Sequence, residues 1–316
     1  MNRRKRILIS GNAFSWNYGT MSLVISAINT LDAMDKNFLY LKESVDKSNE
    51  VKKYSNIFDK GKLTIFGFNK RGLPMAFAKL ILLIFYLKRL FYSDLVLDLP
   101  GEISNDISFY SQSARFLLTR LFSKDFVVYS CSLGPFKFRL TKILAKYFYN
   151  NVSSLMVREP VTEAYLSGLG VKNIHLTADH AFLMEKTYNP DLEEIGRSLM
   201  PFVGVSVKFS YDRKDSKYRK LLRQMIYFVA EELNVNVLII PYGEEDKDLS
   251  EEIFRSIKNY KVHILRGNFL PQELKSLISK SEVFIGSRIH ACISSLSSGV
   301  PTIILVPKND HRGLGL

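Results

Sequence analysis

The feature that most constrains the fold is a repeated alternation of short apolar runs with longer stretches of helical periodicity. This order is typical of parallel sheets that are covered by helices on both faces, and it predicts an α/β fold. The runs that fit buried strands are residues 6–9, 38–41, 63–66, 95–97, 126–129, 155–157, 203–207, 235–240, 262–265, 283–285 and 302–306. The clearest predicted helices are residues 19–34, 214–233, 245–259, 271–281 and 288–298.

The alternation is interrupted between residues 183 and 201, which contain Asn189, Pro190 and several carboxylates. We interpret this stretch as the connection between two domains. The sequence therefore predicts two Rossmann-like domains that face each other across a cleft, residues 1–184 and residues 185–316. In open α/β sheets ligands bind beyond the carboxyl ends of the strands, so the residues that follow each predicted strand are the candidates for a site.

The net charge of +13 is unevenly distributed, because residues 1–150 contain 23 Lys and Arg against 11 Asp and Glu. Three kinds of partner suit such a surplus: a nucleic acid, an anionic membrane surface or an anionic substrate. The sequence contains no helix-turn-helix, zinc-finger, RRM or KH motif, and its basic residues are dispersed. We therefore expect no nucleic-acid partner.

The two cysteines, Cys131 and Cys292, fit neither a disulfide framework nor the spacing of a zinc site. Their scarcity favours a reducing compartment. The apolar run near the N-terminus is too short for a signal peptide. These observations predict a cytoplasmic protein without a bound metal.

The most apolar segment is residues 74–87, which Lys79 interrupts and Lys88 and Arg89 follow. It is shorter than the roughly 20 residues that a membrane-spanning helix needs. Two interpretations stay open. The segment forms a buried helix of the first sheet, or residues 74–91 form a helix that lies on a membrane surface with the help of its basic flank.

The strongest local motif is IGSRIHA, residues 285–291, which follows a predicted strand and opens a predicted helix. Its Arg288 can hold a carboxylate or a phosphate through two parallel hydrogen bonds. Its His290 could transfer a proton near neutral pH. A histidine that merely packs at the start of a helix is the alternative.

SRIHA followed by SLSSGVPTIIL resembles the GxRxHA and GVP signature of the polysaccharide pyruvyl transferase family. Four further segments resemble motifs of that family in the same order: SWNYGTMSL, DLVLDLPGEISND, SCSLGP, and VRE with YLSGLGVKNIHLTADHAF downstream. The resemblance implies a glycosyltransferase B-like fold. It also implies transfer of the enolpyruvyl unit of phosphoenolpyruvate onto two hydroxyls of one sugar, which yields a cyclic ketal and phosphate without a cofactor.

The same resemblance implies the donor site. His290 would be the general acid, and phosphoenolpyruvate would be bound by Arg158, Lys208, Arg288 and Lys308. Lys208 stands where relatives often have Arg, so the charge is kept while the bidentate fork is lost. Two alternatives stay open: Arg158 belongs to a structural ion pair, and Lys308 is a solvated surface residue.

The acceptor side is implied by the glycine-containing motifs of the N-terminal half. Asn17, Gly19 and Gly101 would bind the acceptor, and Glu102 would accept hydrogen bonds from sugar hydroxyls or act as the base. Thr20 stands where relatives have Asp. An exposed Glu at the start of a helix is the alternative for Glu102.

The expected function is therefore pyruvyl transfer to a cell-surface polysaccharide or its lipid-linked precursor, in the cytoplasm or on the inner face of the plasma membrane. One alternative is a nucleotide-sugar glycosyltransferase of the same fold, against which the lack of an E-x7-E-like donor motif argues. The other is a non-catalytic glycan-binding relative. Relatives usually continue past the GVP strand into a final helix, so the second domain is expected to lack that helix.

Overall fold

The structure is a computed structural model that describes residues 4–11, 18–44, 54, 57–59, 62–67, 75–208 and 216–306. Within these ranges the strands form two separate parallel sheets, and helices connect most of the successive strands. The α/β fold class that the alternation predicts is confirmed.

The chain divides by its contacts into two compact units. The first unit contains residues 4–11 and Leu23–His180, and the second contains residues 18–22 and the described chain from Ala181 onward. The first turn of the first helix thus belongs to the second unit by its contacts, a division that the sequence did not indicate. The domain boundary after residue 184 stays a prediction.

The sheet of the first unit has the strand order β3-β2-β1-β4-β6-β7-β8, with the short β5 paired to β6. The strands are β1 (Arg6–Ser10), β2 (Leu39–Ser44), β3 (Leu63–Gly67), β4 (Leu95–Asp98), β5 (Glu102–Ile103), β6 (Asp125–Leu133), β7 (Ser154–Val157) and β8 (Ile174–Leu176). The helices of this unit are α1 (Tyr18–Met34) from Leu23 onward, α2 (Met75–Tyr92), α3 (Asp106–Leu121), α4 (Arg139–Asn151) and α5 (Pro160–Gly168).

The sheet of the second unit has the order β11-β10-β9-β12-β13. Its strands are β9 (Phe202–Ser206), β10 (Asn236–Ile239), β11 (Val262–Ile264), β12 (Val283–Gly286) and β13 (Thr302–Ile304). Its helices are α6 (Pro190–Leu199), α7 (Ser216–Tyr227), α8 (Lys247–Ser256), α9 (Pro271–Ile278) and α10 (Ile289–Leu296).

Both sheets place their first strand in the middle, so the chain moves outward in one direction and then in the other. The first sheet changes direction between β1 and β4, and the second changes direction between β9 and β12. The loops at such a point diverge and leave room for a ligand beside the carboxyl ends of the two strands. The order therefore marks one candidate position in each unit.

An aromatic core joins α3 and α4 to the sheet of the first unit. The ring centroids of Phe116 and Phe148 are 4.7 Å apart, and both rings pack against Phe126 of β6. On the other side of α3, the Tyr86 hydroxyl of α2 lies 2.7 Å from the Thr119 hydroxyl. Helices α2, α3 and α4 are therefore neighbours in one layer over the sheet.

The segment that the sequence suggested as a connection contains a helix, α6, which packs in the core of the second unit through Leu192. Its first turn is built by the residues that had indicated a turn. The Asn189 side chain accepts hydrogen bonds from the backbone N–H groups of Asp191 and Leu192, and Pro190 takes the first helical position. Asn followed by Pro starts a helix as readily as it starts a turn, so the sequence did not reveal this helix. That the stretch connects two domains stays a prediction.

The apolar segment of residues 74–87 lies almost wholly in α2. The described side chains of α2 fit both interpretations in part. Tyr86 and Leu90 are buried, as in a helix of the sheet, whereas Ile84 and Phe91 are exposed, as in a helix on a membrane surface. None of the helices in the described part of the chain is both long and apolar enough to cross a membrane.

Candidate functional site

The second unit brings Lys208 close to the segment that carries Arg288 and His290. Lys208 lies two residues after β9 and its backbone N–H donates to the Tyr218 hydroxyl at 3.2 Å. The same hydroxyl lies 2.5 Å from the Ser287 hydroxyl, which follows β12. Because β9 and β12 flank the change of direction in this sheet, these residues line the position where a ligand is expected.

Arg288 is fixed by two carboxylates at this edge. Its Nε donates to Oδ2 of Asp246 at 2.7 Å, and its Nη2 donates to Oδ1 at 2.6 Å, with Glu245 as a further partner. Burial alone would lower the pKa of Arg288, but the hydrogen bonds and charges of Asp246 and Glu245 raise it. The guanidinium is therefore a permanent cation. The side chain of Arg288 is 12% exposed.

His290 is the second residue of α10, and Gly19 in the first turn of α1 lies directly against it. A Cβ on Gly19 would lie 2.2 Å from Nδ1 of His290, which is inside any permitted contact. Glycine is therefore required at this position by the imidazole rather than by its own backbone angles. The structure thus joins two residues that the family motifs single out separately.

The first turn of α1 is held in the second unit by tyrosines. Tyr18 packs in the core of that unit, with its ring centroid 6.0 Å from that of Tyr242 in an edge-on arrangement. The Tyr242 hydroxyl lies 3.5 Å from the Ser22 hydroxyl and 3.1 Å from that of Ser294. Ser294 in turn donates to the backbone carbonyl of His290 at 2.9 Å. These contacts therefore position both the first turn of α1, which contains Gly19, and the start of α10, which contains His290.

The first unit brings Gly101, Glu102 and Arg158 to the carboxyl edge of its sheet. Gly101 has a φ of +69°, which favours glycine, and its carbonyl accepts from the Ser132 backbone N–H at 3.1 Å. Glu102 is half-buried in β5 and stands opposite Ser132 of β6. Glu102 is therefore a strand residue. The alternative interpretation, an exposed Glu at the start of a helix, is wrong.

Arg158 follows β7 and lies in a buried network of hydrogen bonds. Its Nη1 donates to Oδ2 of Asp179 at 2.5 Å, and its Nε donates to the Ser132 hydroxyl at 2.9 Å and to Glu159 at 3.3 Å. Both side chains of the Arg158–Asp179 pair are only 4% exposed. The structural ion pair that was the alternative interpretation of Arg158 is present. Ser132 of this network is paired with Glu102 across strands β6 and β5.

His180 also lies at this edge, and no role was predicted for it from the sequence. It is buried, its Nε2 donates to the Leu23 carbonyl at 2.8 Å, and its ring centroid is 4.9 Å from that of Tyr129. Burial lowers the pKa of His180 to about 4, against the opposing charge of Asp179. The imidazole is therefore neutral at physiological pH.

Two proposed site residues, Asn17 and Lys308, lie outside the described residues. Tyr218, Tyr242 and Asp246 were missed, although each follows or faces a strand end where such residues are expected to matter. Among the described residues, no group of three or more His, Cys, Asp or Glu side chains is arranged to hold a metal ion. The roles given to the site residues stay predictions.

The two-sheet fold is shared with solved structures of sugar-nucleotide enzymes. UDP-GlcNAc 2-epimerase from Methanocaldococcus jannaschii superposes with a TM-score of 0.64 at 13% identity, covering 95% of this chain and 83% of that one. The E. coli heptosyltransferase WaaC gives a TM-score of 0.51 at 12% identity, covering 98% of this chain and 91% of that one. These similarities show a glycosyltransferase B-type fold, as the family resemblance implied.

The family model described as polysaccharide pyruvyl transferase matches residues 17–309, nearly the whole chain. The chain therefore belongs to the polysaccharide pyruvyl transferase family, which confirms the resemblance drawn from the motifs. A curated relative, the amylovoran biosynthesis protein AmsJ of Erwinia amylovora, is 22% identical over 247 residues. That match covers 71% of this chain and 58% of AmsJ, so the chain spans less than two thirds of the length of this relative.

Proposed function

We propose that this protein transfers the pyruvyl group of phosphoenolpyruvate onto a sugar of a polysaccharide or of its lipid-linked precursor. The observation that carries the proposal is the approach of Gly19 to His290 at the edge of the second sheet, beside Lys208 and Arg288. An acid and two cations at a strand-order reversal suit an anionic substrate that must be protonated. Membership of the family and the similarity to an amylovoran biosynthesis protein support the same reaction.

The donor is held by cations in this proposal. Phosphoenolpyruvate carries a carboxylate and a phosphate, which Arg288 and Lys208 of the second unit would bind together with Lys308. Arg158 of the first unit would contribute a further cation. Guanidinium groups match the planar carboxylate with two parallel bonds, whereas lysines act as point charges on the phosphate oxygens.

The reaction needs one proton and two hydroxyl groups. His290 gives a proton to C3 of phosphoenolpyruvate, which turns the methylene into a methyl group and leaves positive charge at C2. One sugar hydroxyl forms a bond to C2 and loses its proton, for which Glu102 is the proposed base. The second hydroxyl then forms the other C–O bond as the bond between C2 and the phosphate oxygen breaks, and its proton passes to the departing phosphate. The products are a ketal and hydrogen phosphate, and solvent returns the proton held by Glu102 to His290.

The acceptor side is assigned to residues near the glycines of the family motifs. Asn17, Gly19 and Gly101 would bind the sugar, and Glu102 would accept hydrogen bonds from its hydroxyls. The proposed acceptor is a cell-surface glycan or its lipid-linked precursor, and the proposed place of action is the cytoplasmic side of the membrane. No cofactor is proposed besides the donor substrate.

Product analysis tests the proposal. The purified protein is incubated with phosphoenolpyruvate and a panel of lipid-linked and nitrophenyl glycosides, and phosphate release is followed together with the mass of each glycan. We expect release of phosphate matched by ketal formation on one of the acceptors. Consumption of a nucleotide sugar in a parallel incubation, without any use of phosphoenolpyruvate, would contradict the proposal.

A further inference from the structure

The outer surface of α3 in the first unit carries an apolar stripe that faces solvent. Ile107 and Leu121 are 73% and 78% exposed, and Tyr110 and Leu117 between them are also exposed. Their spacing of three, seven and four residues places all four on one face of the helix. This stripe is separate from the buried face of α3, which contains Phe109 and packs in the core.

Helix α4 carries a second stripe of the same kind. Leu140, Ile143, Leu144 and Tyr147 are all exposed and follow the spacing of i, i+3, i+4 and i+7. Phe138, immediately before the helix, is exposed as well. The core of the unit is served by other residues of α4, so neither stripe is needed to hold the sheet and its helices together.

The two stripes lie on neighbouring helices that contact each other at Tyr110. The Tyr110 hydroxyl of the α3 stripe lies 2.8 Å from the hydroxyl of Thr141, which is next to Leu140 in α4. On the other side of α3, the neighbouring α2 adds Ile84 and Phe91, which are also exposed. We call this joint surface of α2, α3 and α4 the outer helix surface. Monomeric proteins seldom expose continuous apolar surface of this kind without a partner.

The charge around the outer helix surface is positive. Residues 105–151 contain seven Lys and Arg against two Asp and Glu. Arg139, Lys142 and Lys146 follow a spacing of three and four residues along α4, directly beside its apolar stripe. Of the two acids, Asp106 is buried and accepts hydrogen bonds from the backbone of residues 137 and 138.

We propose that the outer helix surface docks the protein onto an anionic lipid bilayer. Leucine, isoleucine and aromatic side chains on one face of a helix enter the boundary between headgroups and acyl chains, while flanking Lys and Arg extend to the lipid phosphates. A second copy of the chain is a poorer occupant, because it would bring the same positive charge against this surface. This proposal does not rest on the proposed reaction. It extends the membrane contact expected of residues 74–91 to α3 and α4.

Sedimentation with vesicles tests the docking. The full chain is mixed with vesicles of phosphatidylcholine alone or with about 30% phosphatidylglycerol, at low salt and at about 0.5 M salt. We expect binding to the anionic vesicles that salt weakens, and little binding to phosphatidylcholine alone. Equal binding to both vesicle types, or none to either, overturns the proposal.

Two paired variants locate the surface. Leu140→Glu with Ile143→Glu is expected to lower vesicle partitioning at least tenfold, whereas the control Leu221→Glu with Leu233→Glu, at exposed leucines of the second unit, is expected to leave it unchanged. Equal losses in the two variants overturn the assignment. Thermal unfolding of each variant establishes that the fold is retained.

The charge contribution has its own matched pair. Arg139→Gln with Lys142→Gln and Lys146→Gln is expected to weaken binding about 100-fold at low salt. The control removes three exposed lysines of the second unit, Lys186, Lys220 and Lys258, and is expected to change binding little. Similar losses in the two triple variants overturn the proposal. A second outcome would also overturn the proposal. If the wild-type chain forms a salt-resistant dimer, and Leu140→Glu with Ile143→Glu dissociates it, the outer helix surface binds a second copy of the chain.

Discussion

The carboxyl edges of the two sheets carry the same pair of residue types in different surroundings. In the first unit Arg158 is enclosed with Asp179, and His180 is buried and neutral. In the second unit Arg288 is bound to Asp246 but is partly exposed, and His290 stands at the first turn of a helix against Gly19.

The difference shows that the role of a motif residue depends on how deeply its side chain is buried. A buried ion pair is costly to break, because removal of one partner leaves the other charge without compensation in the interior. An arginine at a partly exposed edge keeps its carboxylate partners and can still meet a ligand. We therefore expect the first edge to matter more for stability and the second edge to matter more for catalysis.

The largest effect is expected from His290→Ala, which removes the proposed general acid. The rate of ketal formation should fall about 100- to 10,000-fold, because general acid catalysis contributes that range. The thermal midpoint of unfolding should change little. His175→Ala, at an exposed histidine of the first unit, is the control and should keep the wild-type rate. A near-normal rate for His290→Ala would remove this residue from the mechanism.

Gly19→Ala tests the approach of α1 to His290 while the imidazole is chemically unchanged. The new Cβ would lie 2.2 Å from Nδ1, so the ring must move. A displacement of about 1 Å can cost roughly 100-fold in rate, and we expect a loss of that size in kcat.

The matched control is Gly168→Ala, at a helical glycine of the first unit where a Cβ would meet nothing within 4 Å. It should keep full activity and add up to about 1 kcal/mol of helix stability. Equal activity of the two alanine variants would show that the approach to His290 has no catalytic consequence.

Arg158→Ala and Arg288→Ala test the two arginines that are proposed to bind the donor. Both should raise the Kd for phosphoenolpyruvate about 10- to 100-fold, as expected for the loss of charged hydrogen bonds. Arg158→Ala should also lower the free energy of unfolding by about 3–5 kcal/mol, because the buried carboxylate of Asp179 would lose the charge of Arg158. Isothermal titration and urea unfolding measure the two effects.

Arg197→Ala is the control for this pair, since its side chain is exposed and its i,i+4 ion pair is expected to contribute less than about 1 kcal/mol. Unchanged affinity for phosphoenolpyruvate in both site variants would place the donor elsewhere.

The smallest effect is the pH dependence that His180 gives to stability. Its pKa is lowered to about 4 in the folded chain, whereas in the unfolded chain it is about 6.5. The unfolded state therefore binds a proton first as the pH falls, so stability present above pH 6.5 is lost toward pH 4. We expect a loss of about 2 kcal/mol between pH 7 and pH 5.

Urea unfolding at the two pH values measures this loss. His180→Gln should remove most of the difference between pH 7 and pH 5, whereas His175→Gln, at an exposed histidine, should leave it as it is. A wild-type pH dependence in His180→Gln would assign the effect to other groups.

The alternation of apolar runs was sufficient to predict the parallel sheets and most strand positions, because buried strands need continuous apolar residues whatever their neighbours are. Two strands were not predicted from this alternation. The two residues of β5 are too few to show a pattern. The edge strand β8 is mostly exposed, and His175 interrupts its apolar residues. Helix α6 was missed because its polar first turn and its proline look the same in sequence as a loop.

The candidate site could be predicted as separate motifs but not as an arrangement. That Gly19 meets His290 depends on where the first turn of α1 packs, which is decided by Tyr18 and Tyr242 far apart in sequence. The outer helix surface was also missed. A search for one long apolar run finds α2, whereas the stripes of α3 and α4 appear only when the buried faces are known.

The most direct test of the central claim is the origin of the new methyl group. The protein is given phosphoenolpyruvate and its acceptor in deuterated water, and the ketal is examined by mass spectrometry and carbon NMR. We predict a ketal carbon bonded to two sugar oxygens and a methyl group that has gained one deuterium, with an equal amount of phosphate released. Phosphate release without a ketal, or a ketal methyl without deuterium, would contradict protonation at C3 as the chemistry of this protein.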